Sequence, residues 1–274
     1  MKNRLQVSRR RRLCVFSTLT VLALLACPPQ ATAQAADTPW TALQKSYFDG
    51  KKLETAPFIR LTAPERAASG EQVPFAFSID HPMTAQRYIK SVTLFVDANP
   101  VPLTAVFHFN PANGKAEIST RIRFESDSLV HVVAESSDGH FYVNAVGVKA
   151  SGGCGGTTAG DDPAVMAAAG KMKMALDGPL KLGDVNQARL LIRHPMYTGL
   201  QRNLSSNAFR PAFFINKVEV MYNGKPVMTA DTFIGISENP FIQFGFVADQ
   251  PGALQVVIHD NEGRSFRQSL DVRL

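Results

Sequence analysis

Two regions of this chain run through the same order of short apolar segments and turns, and an internal repeat of that kind narrows the fold more than composition does. Ile79-Asp80-His81-Pro82-Met83 returns as Ile192-Arg193-His194-Pro195-Met196, and Ile89-Lys90-Ser91-Val92 returns as Ile215-Asn216-Lys217-Val218. Residues 129–148, turning at Asp138-Gly139, are echoed by 254–272, turning at Glu262-Gly263, and Asn223-Gly224 marks a further tight hairpin. The offset grows from 113 to 126 residues between the first two matches, which places a longer loop, Tyr197 to Pro211, in the second copy. Within each copy, runs rich in Val, Ile, Phe and Thr alternate with turn residues at the spacing of a β-sandwich. The clearest is Ala116 to Glu125. Its Ile118, Thr120, Ile122 and Phe124 take one face, and Glu117, Ser119, Arg121, Arg123 and Glu125 the other, so one face is expected in the core and one in water. The expected fold is all-β, with two tandem immunoglobulin-like sandwiches over 36–150 and 186–274 joined by a Gly-rich, partly helical linker over 151–185. Asp162-Pro163 is read as the start of a short helix in that linker, and Pro39 to Phe48 as another helix packed on the first sandwich.

The chain has 274 residues, enough for two small cores, and a formal charge of +6 that invites a nucleic-acid reading. Six of its 29 basic residues, however, lie within the first twelve positions, and no acidic residue precedes Asp37. The rest of the chain balances at 23 against 23, so the basic-patch argument falls away. The basic start, the apolar run Leu13 to Ala26 and the small-residue sites near Ala33 and Ala35 make residues 1–35 a signal peptide for the periplasm, with no membrane span in the mature chain. Ser8-Arg9-Arg10-Arg11-Arg12-Leu13 also fits a twin-arginine signal. Leu24-Leu25-Ala26-Cys27 loosely matches a lipoprotein site, but Pro28 and Pro29 favour ordinary cleavage further on.

Cleavage near Ala33 or Ala35 removes Cys14 and Cys27 and leaves Cys154 as the one thiol of the mature chain. An unpaired cysteine in an oxidising compartment is open to mixed disulfides and oxidation. Its surroundings, Ser151-Gly152-Gly153-Cys154-Gly155-Gly156-Thr157-Thr158, offer no large side chain to bury it, and Gly152, Gly153, Gly155 and Gly156 read as the source of a flexible, slender loop. The five residues from Lys149 to Cys154 reach at most ~17 Å. A thiolate is both a good nucleophile and an acceptable leaving group, so one sulfur can take up cargo and release it. The neighbouring sequence supplies no cation that clearly activates it. The six histidines, His81, His108, His131, His140, His194 and His259, show no ligand spacing, and the repeated His-Pro-Met reads as a strand end. Met166, Met172 and Met174 read as helix packing rather than a copper site, and Asp161-Asp162 as a helix cap rather than a catalytic pair. No metal, cofactor or catalytic residue is assigned.

The segment from Pro64-Glu65-Arg66-Ala67 to Val73-Pro74, the Gly-Gly-Cys-Gly-Gly motif after a sandwich, and a second sandwich bearing His194-Pro195-Met196-Tyr197-Thr198-Gly199-Leu200 resemble the SoxY and SoxZ subunits of the sulfur-oxidation carrier, fused in one chain. With Lys171-Met172-Lys173-Met174 following, the chain is most similar to the quinoprotein dehydrogenase-associated SoxYZ-like carrier group. The resemblance implies a non-enzymatic carrier whose Cys154 holds a sulfur-containing or other small oxidation intermediate. It implies periplasmic redox enzymes as partners, either Sox-type cytochromes or hydrolase, or a quinoprotein dehydrogenase system. In the separate carrier subunit the cysteine lies at a free C-terminus, whereas here 120 residues follow it, so the arm is tethered at both ends. Two other classes stay open: a binding or assembly module with an incidental thiol, and a cysteine-dependent enzyme that draws its base from elsewhere in the fold.

Overall fold

The repeat folds as two copies of one strand pattern, and the copies share their sheets. The structure, a computed structural model, describes residues 38–158 and 163–274. The export segment, Asp161 and the helix-capping role of Asp162 therefore lie outside the described residues. The first copy begins with helix α1 (Pro39–Phe48), capped by the Thr38 hydroxyl with Pro39 in its first turn. Eight strands follow: β1 (Leu53–Thr55), β2 (Ile59–Thr62), β3 (Val73–Ile79), β4 (Ile89–Val96), β5 (Leu103–Phe109), β6 (Ala116–Ile122), β7 (Ser128–Ser136) and β8 (Phe141–Val148). The connection holds β9 (Thr157–Thr158) and α2 (Pro163–Ala168). The second copy contains β10 (Met172–Leu176), β11 (Val185–Ile192), β12 (Arg202–Asn203), β13 (Ile215–Tyr222), β14 (Lys225–Thr232), β15 (Phe241–Val247), β16 (Gly252–Asp260) and β17 (Ser265–Val272).

Nine strands form one sheet in the order β1-β8-β7-β4-β5-β14-β13-β16-β17, and six form the facing sheet, β10-β11-β15-β6-β3-β2. Apart from β1, which extends the larger sheet at one edge, each strand of one copy in these two sheets has its counterpart at the mirrored place in the other. The copies meet where β5 pairs antiparallel with its equivalent β14, and β6 with its equivalent β15. This is the self-complementary geometry of a two-fold dimer, here built within one chain. The two edges that a lone sandwich would expose are thereby paired. The inner faces carry the alternation that the sequence requires: β6 buries Ala116, Ile118, Thr120 and Ile122, and the core continues through Phe77, Phe107 and Phe124 into Phe244 and Phe246. At the tight hairpin between β13 and β14, Asn223 and Gly224 both take positive φ (50° and 76°), as a two-residue turn of that hand demands.

Two local readings are corrected. Met172 and Met174 are not on a helix: the alternation Lys171-Met172-Lys173-Met174 has period two, and β10, within the segment read as a linker, pairs along β11 from Met172↔Ile192 to Leu176↔Ala188. Arg123 does not face water. It is 3% exposed, on the outer side of the sheet but roofed by the cysteine loop and the second copy.

Candidate functional site

β6 ends at Ile122 because the next residues leave their ladder to receive another segment. Phe124 donates its N–H to the Gly70 carbonyl (2.8 Å), and its own carbonyl accepts from Gly153 (2.8 Å). Gly70 N–H donates to Ser151 O (2.9 Å), and Gly152 N–H to Glu125 O (3.0 Å). Residues 151–153 are therefore laced between the 70 and 124 positions. The space is too narrow for a side chain: a Cβ on Gly153 would stand 2.1 Å from the Gly70 carbonyl oxygen, and one on Gly70 would stand 2.0 Å from the Phe124 oxygen. Gly153 is thus a packing requirement rather than a source of freedom. Gly152 and Gly156, at φ 74° and 93° with open space around them, turn the chain into and out of the segment.

Cys154 follows with 2% exposure, a free thiol among the described residues. This corrects the expectation of an exposed thiol on a loose arm. Neighbouring glycines cannot cover it, but elements distant in sequence do. The Glu125 carboxylate accepts from the N–H groups of both Cys154 (2.9 Å) and Gly155 (3.2 Å), and Thr198 donates its hydroxyl to the Cys154 carbonyl (2.7 Å). Arg123 fastens three elements at once: Nη1 donates to Gly153 O (2.8 Å), Nη2 to Met196 O (3.3 Å) and Nε to Ile236 O (3.4 Å). Asn99 steadies this stretch of chain, accepting from Glu125 N–H and donating to Arg123 O, each at 2.8 Å. Beyond the cysteine, Gly156 O accepts from Arg202 N–H (2.9 Å), and β9 pairs in parallel with β12.

The electrostatics keep the sulfur protonated. Burial pushes the Cys154 thiol up to about 11, the Glu125 carboxylate adds to the rise, and the Arg123 guanidinium opposes it. Arg123 in turn is pushed down from the ordinary guanidinium range by burial, with the charges of Cys154, Glu238 and Glu71 working the other way. A protonated, covered thiol neither attacks nor is attacked, so the arrangement stores the cysteine. His194, one of the repeated His-Pro-Met histidines, is 1% exposed and accepts from Met196 N–H through Nδ1 (3.2 Å). Burial pushes its imidazole down to about 4, so it is a neutral brace behind the Met196 carbonyl that Arg123 engages.

Comparison with protein families divides the chain in the same place as its repeat. Residues 44–154 match the model of the sulfur oxidation protein SoxY, the match ending on Cys154, and residues 176–271 match that of the sulphur oxidation protein SoxZ. The chain is a SoxYZ-like protein, the two modules fused. Among solved structures it is similar to the sulfur carrier protein SoxY from Chlorobium limicola f thiosulfatophilum, at 26% identity over 39% of this chain and 88% of that one, TM-score 0.34. A superoxide reductase (neelaredoxin) from Ignicoccus hospitalis also matches, at 13% identity over 34% of this chain and 80% of that one, TM-score 0.31. No curated protein gives a match. Seen by module, the SoxY part supplies Cys154, Arg123 and Glu125, and the SoxZ part supplies Thr198, Met196, Ile236 and Arg202. The cysteine loop is therefore tied across the fusion. Reading the sequence singled out Cys154 and the four glycines but missed Glu125, Arg123 and Thr198. Arg123 and Glu125 look like ordinary outward residues of a strand, and Thr198 stands in the 194–200 motif of the second sandwich with nothing in the sequence to mark its role.

Proposed function

We propose that this protein is a periplasmic covalent carrier, exported by its first 35 residues, that holds a sulfur-containing oxidation intermediate on Cys154 and passes it between periplasmic redox enzymes. The observation that carries this reading is a free thiol, at the last residue of the SoxY match, on a segment held down by hydrogen bonds that a partner can exchange. Loading by oxidative conjugation joins the thiol to a sulfur anion as a new S–S bond, releasing one proton and two electrons to a redox partner. Hydrolysis of an S-sulfonate, with release of sulfate, or exchange with a partner thiolate that takes the sulfur later returns the thiol. The chemistry belongs to the partners, since a thiol pushed up to about 11 is the reverse of an activated enzyme nucleophile. Here the cysteine works from a stowed position, and a loading enzyme must first lift Cys154 and Gly155 off Glu125 and Thr198. Intact mass of protein from the native periplasm, without reductant and with the modified residue mapped, tests the reading. A defined sulfur adduct confined to Cys154 is expected. An unmodified thiol under every growth condition would overturn it and leave a binding module as the better account.

A further inference from the structure

On the outer face of the six-stranded sheet, at the end nearest the cysteine loop, lies an open cavity of about 640 Å³ that crosses the junction between modules. Four cations line it: Arg121 on β6, Lys173 on β10, Lys171 just before β10 and Arg193 just after β11. None of the four has a carboxylate at ion-pair distance among the described residues, although most exposed charges elsewhere on the sheets do. Lys115 with Glu117 and Arg189 with Asp177 are paired on this same sheet. Arg121 lies only over the Phe241 ring, 5.6 Å from its centroid. Gln72, Asn239 and the exposed Leu191 complete the lining, while Met172 and Ile192 border it with their side chains packed towards the core.

Gathering four like charges round one concavity costs repulsion, and a cleft lined by one sign focuses the field that draws in an opposite charge. That cluster stands out because the chain beyond its leader is balanced, 23 basic against 23 acidic residues. Glu71 and Glu238, the sequence neighbours of Gln72 and Asn239, act on the buried Arg123, and Glu238 also accepts from Asn239 Nδ2 (2.8 Å). The cavity also lies near the anchors of the cysteine loop. Arg121 precedes Arg123 by two positions on the same side of the strand, a separation of about 7 Å. Gln72 lies two residues from Gly70, which holds Ser151, and Asn239 exchanges hydrogen bonds with His194.

We propose that this cavity is a binding site for a divalent oxoanion and that, in a carrier of sulfur intermediates, it holds the free sulfur oxoanion beside the cysteine loop. The sulfur identity rests on the carrier reading, whereas the anion site does not. Its concave shape, with cations converging from β6, β10 and the end of β11, suits a small dianion better than the flat contact of an acidic protein. Titration of the processed protein carrying Cys154→Ser with sodium thiosulfate and sodium sulfate, followed by NMR at constant ionic strength against sodium chloride, separates binding from thiol chemistry. Saturable shifts at the Gln72 and Asn239 amides and at the Lys171 to Lys173 backbone are expected with the dianions and not with chloride. Lys173→Glu combined with Arg193→Glu should weaken binding at least tenfold. Should that pair disturb folding, Arg193→Gln alone should still weaken it severalfold. Non-saturable shifts, shifts equal to those with chloride, or affinity untouched by the substitutions would overturn the site. Binding of a polyglutamate peptide without binding of either dianion would overturn it in favour of an acidic protein partner. None of these results depends on whether Cys154 carries cargo.

Discussion

The stowed cysteine makes a quantitative claim about thiol reactivity. At about pH 8 a thiol whose pKa has risen to about 11 is ionised in roughly one molecule per thousand, against about one in ten for the ordinary value of 9.0. Reaction must therefore run through an opened loop in which the sulfur regains its usual acidity. Freeing Cys154 and Gly155 alone, with residues 151–153 left laced to the sheet, breaks two hydrogen bonds to the Glu125 carboxylate and one from Thr198. Bonds to a charged acceptor are worth about 1.5–3 kcal/mol each and a neutral one about 1, so the gross cost lies near 4–7 kcal/mol. Regained solvation and loop entropy return part of that, and about 4 kcal/mol net leaves roughly one molecule in a thousand open. Iodoacetamide should alkylate Cys154 about a thousandfold more slowly than a peptide of residues 148–158. Glu125→Gln turns two charge-assisted bonds into weaker neutral ones, a change of about 2 kcal/mol, and should speed alkylation roughly 30-fold with no change in the far-ultraviolet spectrum. Thr198→Val should give about fivefold, and because both residues hold Cys154, the double variant should depart from the simple product by their coupling. Alkylation of the wild-type protein at the peptide rate, or an unchanged rate in both variants, would refute the latch.

Other consequences follow from the same groups. Because the stowed thiol's pKa lies above its value when released, stowing is at full strength below about pH 9 and is lost as pH rises towards 11, by about 3 kcal/mol in all; amide hydrogen exchange at Cys154 and Gly155 should accelerate across that window. His194 has the opposite sign: its imidazole is held down near 4 from 6.5, so stability is complete above pH 6.5 and falls by about 3 kcal/mol towards pH 4. His194→Leu should flatten that acid slope in urea unfolding, even though it forfeits the bond to Met196 N–H. Gly153→Ala places a methyl group against the Gly70 carbonyl, a misfit of about 1–3 kcal/mol that should loosen the loop and speed alkylation of Cys154 about 5- to 150-fold, while Gly156→Ala, which meets open space, should act only through the backbone strain of a side chain at φ 93°.

What could be read from the sequence divides along a physical line. Strand alternation and tight turns are local, so β6, the Asn223-Gly224 hairpin and α1 were legible from residue type and spacing alone. The repeat showed two copies but not their joining, because pairing β5 with β14 depends on edges with no sequence mark of their own. The cysteine was visible for its isolation, and its burial was not, because the groups that cover it lie 29 and 44 residues away in sequence. Arg123 is the instructive case. An arginine at an alternating outward position reads as solvated, and it is buried here because three carbonyls from both modules converge on its guanidinium. The fusion then has a structural consequence beyond economy. With Thr198, Met196 and Ile236 on the same chain as Cys154, the groups that close over the loop cannot dissociate from it, so opening is an internal equilibrium whose position does not depend on protein concentration. A tenfold dilution should therefore leave the alkylation rate constant unchanged, whereas a latch completed by a second molecule would loosen on dilution.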